Sequence, residues 1–159
     1  MRDLAELGLE WSGSPFPTAD VQALEAHFSV SLPSDYLCFL SLVNGGVPKN
    51  YCFNYIHKDG ELGEVTVGDL YRMTDDHEDL GGIWKNTVAL REYLAEAGLS
   101  TDVIAVGRDG SIMPIYLDMS AVPVSVHILY VDDNYLDFEI ADSFERFIDG
   151  LTVWSEDYS

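Results

Sequence analysis

The residues best suited to chemistry lie in one short run, Asp75-Asp76-His77-Glu78-Asp79. Clustered carboxylates beside an imidazole can hold a hard divalent cation, because such ions prefer oxygen ligands. The spacing departs from a calcium loop: the glycine falls at Gly81, and Asn86 stands where the closing glutamate belongs. The run therefore reads as a solvated loop, and no metal is expected. A second acidic run, Asp132-Asp133-Asn134, is of the kind that folding can bring beside the first. The four histidines, His27, His57, His77 and His127, are far apart and share no ligand spacing. His27, beside Phe28, reads as a structural or surface residue. His127 shares its strand face with Ser125, opposite Val126 and Ile128, and is expected to face solvent.

No G-x-S-x-G elbow, phosphate-binding G-x-x-x-x-G-K loop, G-x-G-x-x-G or H-E-x-x-H occurs in the chain. A carboxylate pair for hydrolysis can be drawn from almost any two of 28 acids, so it carries no information. The expectation is a protein that is not an enzyme and needs no cofactor. A metal-assisted hydrolase built on the His77 loop is the last of three readings.

Charge narrows the partners. With 28 acidic and 8 basic residues the formal net charge is −20. Such a surface is repelled by nucleic acid and by anionic membranes, and it attracts basic proteins. Solubility is the plain alternative use of the same charge. The two cysteines, Cys38 and Cys52, lack C-x-x-C spacing, which points to a reducing compartment. Cys38, inside Tyr36-Leu37-Cys38-Phe39-Leu40, is expected to be a small buried hydrophobe. The opening Met1-Arg2-Asp3-Leu4-Ala5-Glu6 lacks the pattern of a secretory signal, and no stretch approaches ~18 apolar residues. The expected location is cytoplasmic.

These groups must be positioned by a sheet and its helices. Residues 1–17 read as a lead-in, 18–151 as one domain and 152–159 as a tail. Thr18 is read as the N-cap of a first helix carrying Val21, Leu24 and Phe28. After Leu32-Pro33-Ser34-Asp35 a second helix carries Tyr36, Phe39, Leu40 and Val43, and Asn44-Gly45-Gly46 ends it through left-handed backbone. The period then becomes two: Tyr51-Cys52-Phe53-Asn54-Tyr55-Ile56-His57 alternates, Asp59-Gly60 turns, and Leu62 to Met73 returns. A third helix is expected from about Asn86 to Ala97. Strands follow at 103–106, 112–117, 124–131 and 136–140, with Pro114 at an edge or a bulge. Asp142 and Glu145 open a last helix burying Phe144, Phe147, Ile148 and Leu151. The result is a single α+β domain: a mostly antiparallel or mixed sheet of about six strands with about four helices.

Leu24-Glu25, Leu32-Pro33-Ser34-Asp35-Tyr36, Phe39-Leu40 and Asn44-Gly45-Gly46 together resemble the opening of the SUKH superfamily, whose members include the yeast cell-wall-assembly regulator. Val106-Gly107-Arg108-Asp109-Gly110 with Tyr116-Leu117-Asp118 is similar to that family's central hairpin. Ile140 to Ile148 is similar to its closing helix. The chain departs where the family's glycine-rich turn continues through a second Gly and an Asp, for Ser111-Ile112-Met113-Pro114 stands there. The resemblance implies a mixed sheet flanked by helices, no shared catalytic constellation, and in bacterial members an immunity role against a toxin delivered between competing cells.

The leading expectation is thus an immunity protein that binds a basic, nucleic-acid-targeting toxin domain and blocks it by charge and bulk. A regulatory or scaffold domain without a toxin partner is the alternative. Partner-binding candidates are Asp75, Asp76, Glu78 and Asp79 in the loop, with Asp132, Asp133, Tyr135 and Asp137 near the last turn. Tyr51, Tyr55 and Trp84 are further aromatic anchors, although their patterns also read as core. A monomer is favoured.

Overall fold

Two prolines decide where the first helices start. In the computed structural model, which describes residues 1–49, 51–57 and 59–153, helix α1 spans Thr18–Phe28 and α2 spans Ser34–Leu42. Pro17 and Pro33 occupy the N-cap positions with extended backbone, at φ −75 and −65. Thr18 is therefore the first helical residue and not the cap, because the residue before it already holds the non-helical geometry a cap requires. The helical spacing buries Val21, Leu24 and Phe28 in α1 and Tyr36, Phe39 and Leu40 in α2. Cys38 points outward from the same stretch and is exposed, whereas Cys52 is buried. A helix inside an apolar run still has an outer face, and Cys38 lies on it.

The stop after α2 divides its labour. Gly45 and Gly46 take positive φ, 69° and 127°. A Cβ on Gly45 would lie 2.6 Å from the carbonyl oxygens of Leu70 and Tyr71, so glycine is required there. Asn44 is not left-handed. It is a buried rivet whose amide donates to the Ser14 and Met73 carbonyls at 2.8 and 2.9 Å and accepts from the Met73 N–H at 2.7 Å.

One antiparallel sheet follows, of seven strands where about six were expected. They are β1 (Tyr51–Ile56), β2 (Leu62–Leu70), β3 (Val103–Asp109), β4 (Pro114–Asp118), β5 (Ser125–Tyr130), β6 (Leu136–Ala141) and β7 (Thr152–Val153). Their order is β6-β5-β4-β3-β2-β1-β7, a meander with β7 added beside β1. The added strand falls in the segment read as a tail; residues 154–159 lie outside the described residues. β2 ends at Leu70, short of Met73, because Leu70 bridges back to Gly46 and Arg72 then pairs with Gly82. Pro114 opens β4, where its missing donor disturbs the ladder least. Register shifts between Val67 and Asp69 and between Ala105 and Gly107 bend the sheet. It curls until β1 and β6 come side by side, with Tyr55 and His57 against the Phe138 ring at 6.5 and 4.7 Å.

Helix α3 (Ile83–Glu96) starts three residues earlier than expected, and α4 spans Phe144–Asp149. α4 is capped by Ser143, which accepts from the Arg146 N–H at 3.1 Å, while Asp142 pairs with the Arg146 guanidinium. α3 runs beside β3: the buried Thr87 hydroxyl accepts from Ala105 N–H at 3.0 Å. The two N-terminal helices grip different partners. Phe28 of α1 meets Trp84 of α3 at 5.3 Å and takes Arg91 over its ring at 5.0 Å. Tyr36 and Phe39 of α2 pack on Phe144 of α4 at 4.7 and 5.1 Å. Phe147 closes the core against Phe53. Each such ring contributes roughly 1.5–3 kcal/mol through burial. Residues ahead of α1 join the core through Leu4 and Leu7, and the Met1 amine pairs with Glu145 at 2.8 Å.

Candidate functional site

The loop between β2 and α3 is acidic because its carboxylates make its turns. Asp76 accepts from the Glu78 N–H at 3.0 Å, and Asp79 accepts from the Gly81 N–H at 3.0 Å. The Arg72 guanidinium reaches Asp79 at 3.4 Å, and Lys85 pairs with Glu78 at 2.8 Å, which holds the Glu78 carboxyl below its usual pKa. His77 lies flat on the Trp84 indole, with centroids 3.5 Å apart and planes 4° apart. Asp75, Asp76, His77 and Glu78 remain exposed. Asp75 and Asp79 line a cavity of about 450 Å³ with Asp20, Arg72 and the Pro15-Phe16-Pro17 segment.

The second acidic region is the β5–β6 turn. Asn134 and Tyr135 both take left-handed backbone, at φ 53° and 57°. This leaves Asp132 and Asp133 exposed while the Tyr135 ring packs partly on the core. Asp137 accepts from the Tyr116 hydroxyl and bonds His127 Nδ1 at 2.9 Å. His127 Nε2 lies 2.9 Å from the Ser125 hydroxyl. The expected solvent-facing His127 is therefore enclosed, its side chain 12% exposed, because Tyr116, Asp118 and Asp137 of the neighbouring strands close around it. Burial first, and then the bond to Asp137, pushes the Tyr116 phenol far above its usual pKa.

A serine, an imidazole and a carboxylate in line resemble a nucleophile relay, but here Ser125 is only 3% exposed, and a substrate carbonyl cannot reach its oxygen. Beside this network a groove of about 510 Å³ runs between β1 and β6, lined by Ile56, His57, Asp59, His127, Asp137, Phe138 and Glu139. Ile56 pairs with Leu62 across the β1–β2 hairpin, and both are largely exposed, next to these acids.

The two groups of candidates thus occupy separate places, Asp75 and Asp79 at one cavity and Asp137 at the other. Of the aromatic anchors, Tyr51 and Tyr55 are core residues at 7% exposure each. Trp84 is half-buried among His27, Phe28 and His77. Their alternation and helical spacing reported packing. The reading missed Ile56, Leu62 and Trp11, the last 77% exposed. Trp11 continues the apolar spacing of Leu4, Leu7 and Leu9, so its pattern read as packing and nothing local signalled its exposure. Among the described residues no three His, Cys, Asp or Glu side chains are grouped to hold a metal ion. No helix among them is long and apolar enough to cross a membrane.

No curated protein and no solved structure matches the chain. The family model described as SMI1 / KNR4 family (SUKH-1) matches residues 15–150.

Proposed function

Starting from a chain that belongs to the SMI1 / KNR4 family (SUKH-1), we propose that it is an immunity protein that binds a basic toxin domain and blocks it. The family is consistent with such a role and with protein binding in general. The observation that carries the reading is a net charge of −20 set beside exposed apolar side chains, as at Asp59, Glu139, Ile56 and Leu62. Acids at a rim draw a basic partner in and orient it, and apolar groups at the centre hold it once water is excluded. A toxin that attacks nucleic acid must carry a basic cleft, and an acidic body filling that cleft denies it substrate by charge and by bulk. The protein works by occupancy and turns nothing over.

The test is protection. The chain is co-expressed with the C-terminal domain of whichever large secreted protein its neighbouring genes encode, and the purified pair is examined by gel filtration and stopped flow. Cells survive, a complex elutes, and the association rate falls as salt rises. Equal killing with and without the chain, and no complex, would overturn the proposal and favour a regulatory scaffold with a cellular partner.

A further inference from the structure

Trp11 is an exposed residue on a strap that the fold holds at several points. Its strap is bound on both sides: Glu10 exchanges backbone hydrogen bonds with Val47, the Ser12 hydroxyl donates to Gly45 O at 2.8 Å, and the Gly13 N–H donates to Asn44 O at 2.8 Å. The Trp11 carbonyl itself accepts from Arg72 Nη1 at 3.2 Å. These bonds keep Trp11 in left-handed backbone at φ 63°, which a bulky residue adopts only under constraint. The indole, 77% exposed, is presented to water from a fixed base.

The same guanidinium builds the rest of the face. Its Nη2 reaches Asp79, and it lies so close over Gly81 that a side chain there would push the guanidinium aside. Leu80, between those two residues, is 80% exposed. Arg72 thereby joins the strap to the acidic loop, Leu80 following Asp79 in that loop, and Glu10, Asp75, Asp76 and Glu78 of these two segments are exposed. Arg72 is engaged by Trp11 and Asp79, and Lys85 by Glu78.

We infer that this face is a docking surface with Trp11 as its anchor, and that its occupant is a basic protein segment presenting apolar side chains between lysines or arginines. The occupant's charge follows from the exposed acids Glu10, Asp75 and Asp76, and its apolar ridge from Trp11 and Leu80. With its backbone already fixed, Trp11 has only its side-chain rotamers to order on binding, and large aromatics at an interface centre carry a disproportionate share of affinity. The inference rests on the basic-partner reading above and names the face that serves it.

The test uses the full chain labelled with 5-fluorotryptophan, its fluorine resonances assigned through Trp11→Phe and Trp84→Phe, and a synthetic fourteen-residue amphipathic peptide of leucine and lysine as probe. The Trp11 resonance shifts saturably and the Trp84 resonance does not. Affinity falls at least tenfold in Trp11→Ala, and Asp75→Lys with Glu78→Lys reduces its salt dependence. A peptide with serine for leucine binds weakly and leaves Trp11 unmoved. A Trp11 resonance that stays put throughout the titration, or a Trp11→Ala variant that binds equally well, overturns the inference. Protection separates the two ideas: if Trp11→Ala protects cells as wild type does, the face is wrong and the immunity reading stands. If wild type fails to protect, the immunity reading falls on its own.

Discussion

Asp69 carries the clearest unpaid electrostatic cost at the level of single residues. It sits at the β2 register shift, buried, and its Oδ1 has no hydrogen-bond partner among the described residues. Burial raises its pKa above the ordinary carboxylate value, against the opposing pull of Arg72 and Arg108. The folded state therefore holds this proton more tightly than the unfolded chain does. The stabilisation is full below the ordinary carboxylate pKa and is lost as pH rises through the raised value, leaving a buried charge at neutrality. Asp69→Asn should be more stable than wild type at pH 7, with the advantage shrinking as pH falls towards the ordinary carboxylate value. Urea denaturation at several pH values measures it, and a difference that does not change with pH would contradict the assignment. Nothing around Asp69 in the sequence announces this burial, since it lies in an alternating strand whose period is broken at that point by a bulge.

Ile112 poses the problem of the element. In the β3–β4 turn Ile112 sits at φ 72°, where a β-branched residue is strained. Asp109 holds the turn by accepting from the Ser111 and Met113 N–H groups at 2.8 Å each. Ile112 is itself 68% exposed and so contributes little packing. Ile112→Asn, which tolerates left-handed backbone, should stabilise the fold by about 1 kcal/mol, read from the urea midpoint at unchanged slope. Loss of stability would mean that the Ile112 side chain packs more than its exposure indicates. Helix starts show the same limit of local reading. Pro17 and Ser143 displaced the expected caps Thr18 and Asp142 by one residue, because capping is settled by backbone geometry and not by side-chain type alone.

For the molecule as a whole, charge is the governing term. At −20 the native chain repels itself, and the few ion pairs it makes are mostly at the surface, where each contributes little. Raising sodium chloride from ~20 to ~500 mM shrinks the Debye length from about 20 Å to a few Å. The melting temperature should therefore rise by a few °C, as followed by circular dichroism. A fall would show that attractive pairs such as Met1–Glu145 outweigh the repulsion.

The α+β class, the helical faces of Val21-Leu24-Phe28 and Tyr36-Phe39-Leu40, and the alternation of Tyr51, Phe53 and Tyr55 were all determined by the sequence alone. Periodicity is a local property, and burial follows it wherever an element has one inner face. The charge balance was equally a matter of composition. Only the tertiary structure decided that Cys38 faces out, that His127 is enclosed between Tyr116 and Asp137, and that Asp75 and Asp79 line one cavity and Asp137 another. It alone showed Arg72 joining Trp11 to Asp79 across sixty-odd residues of chain. Those outcomes depend on which strands become neighbours and how far the sheet curls. Neighbourhoods of that kind are set by packing between segments distant in sequence, and no local pattern encodes them.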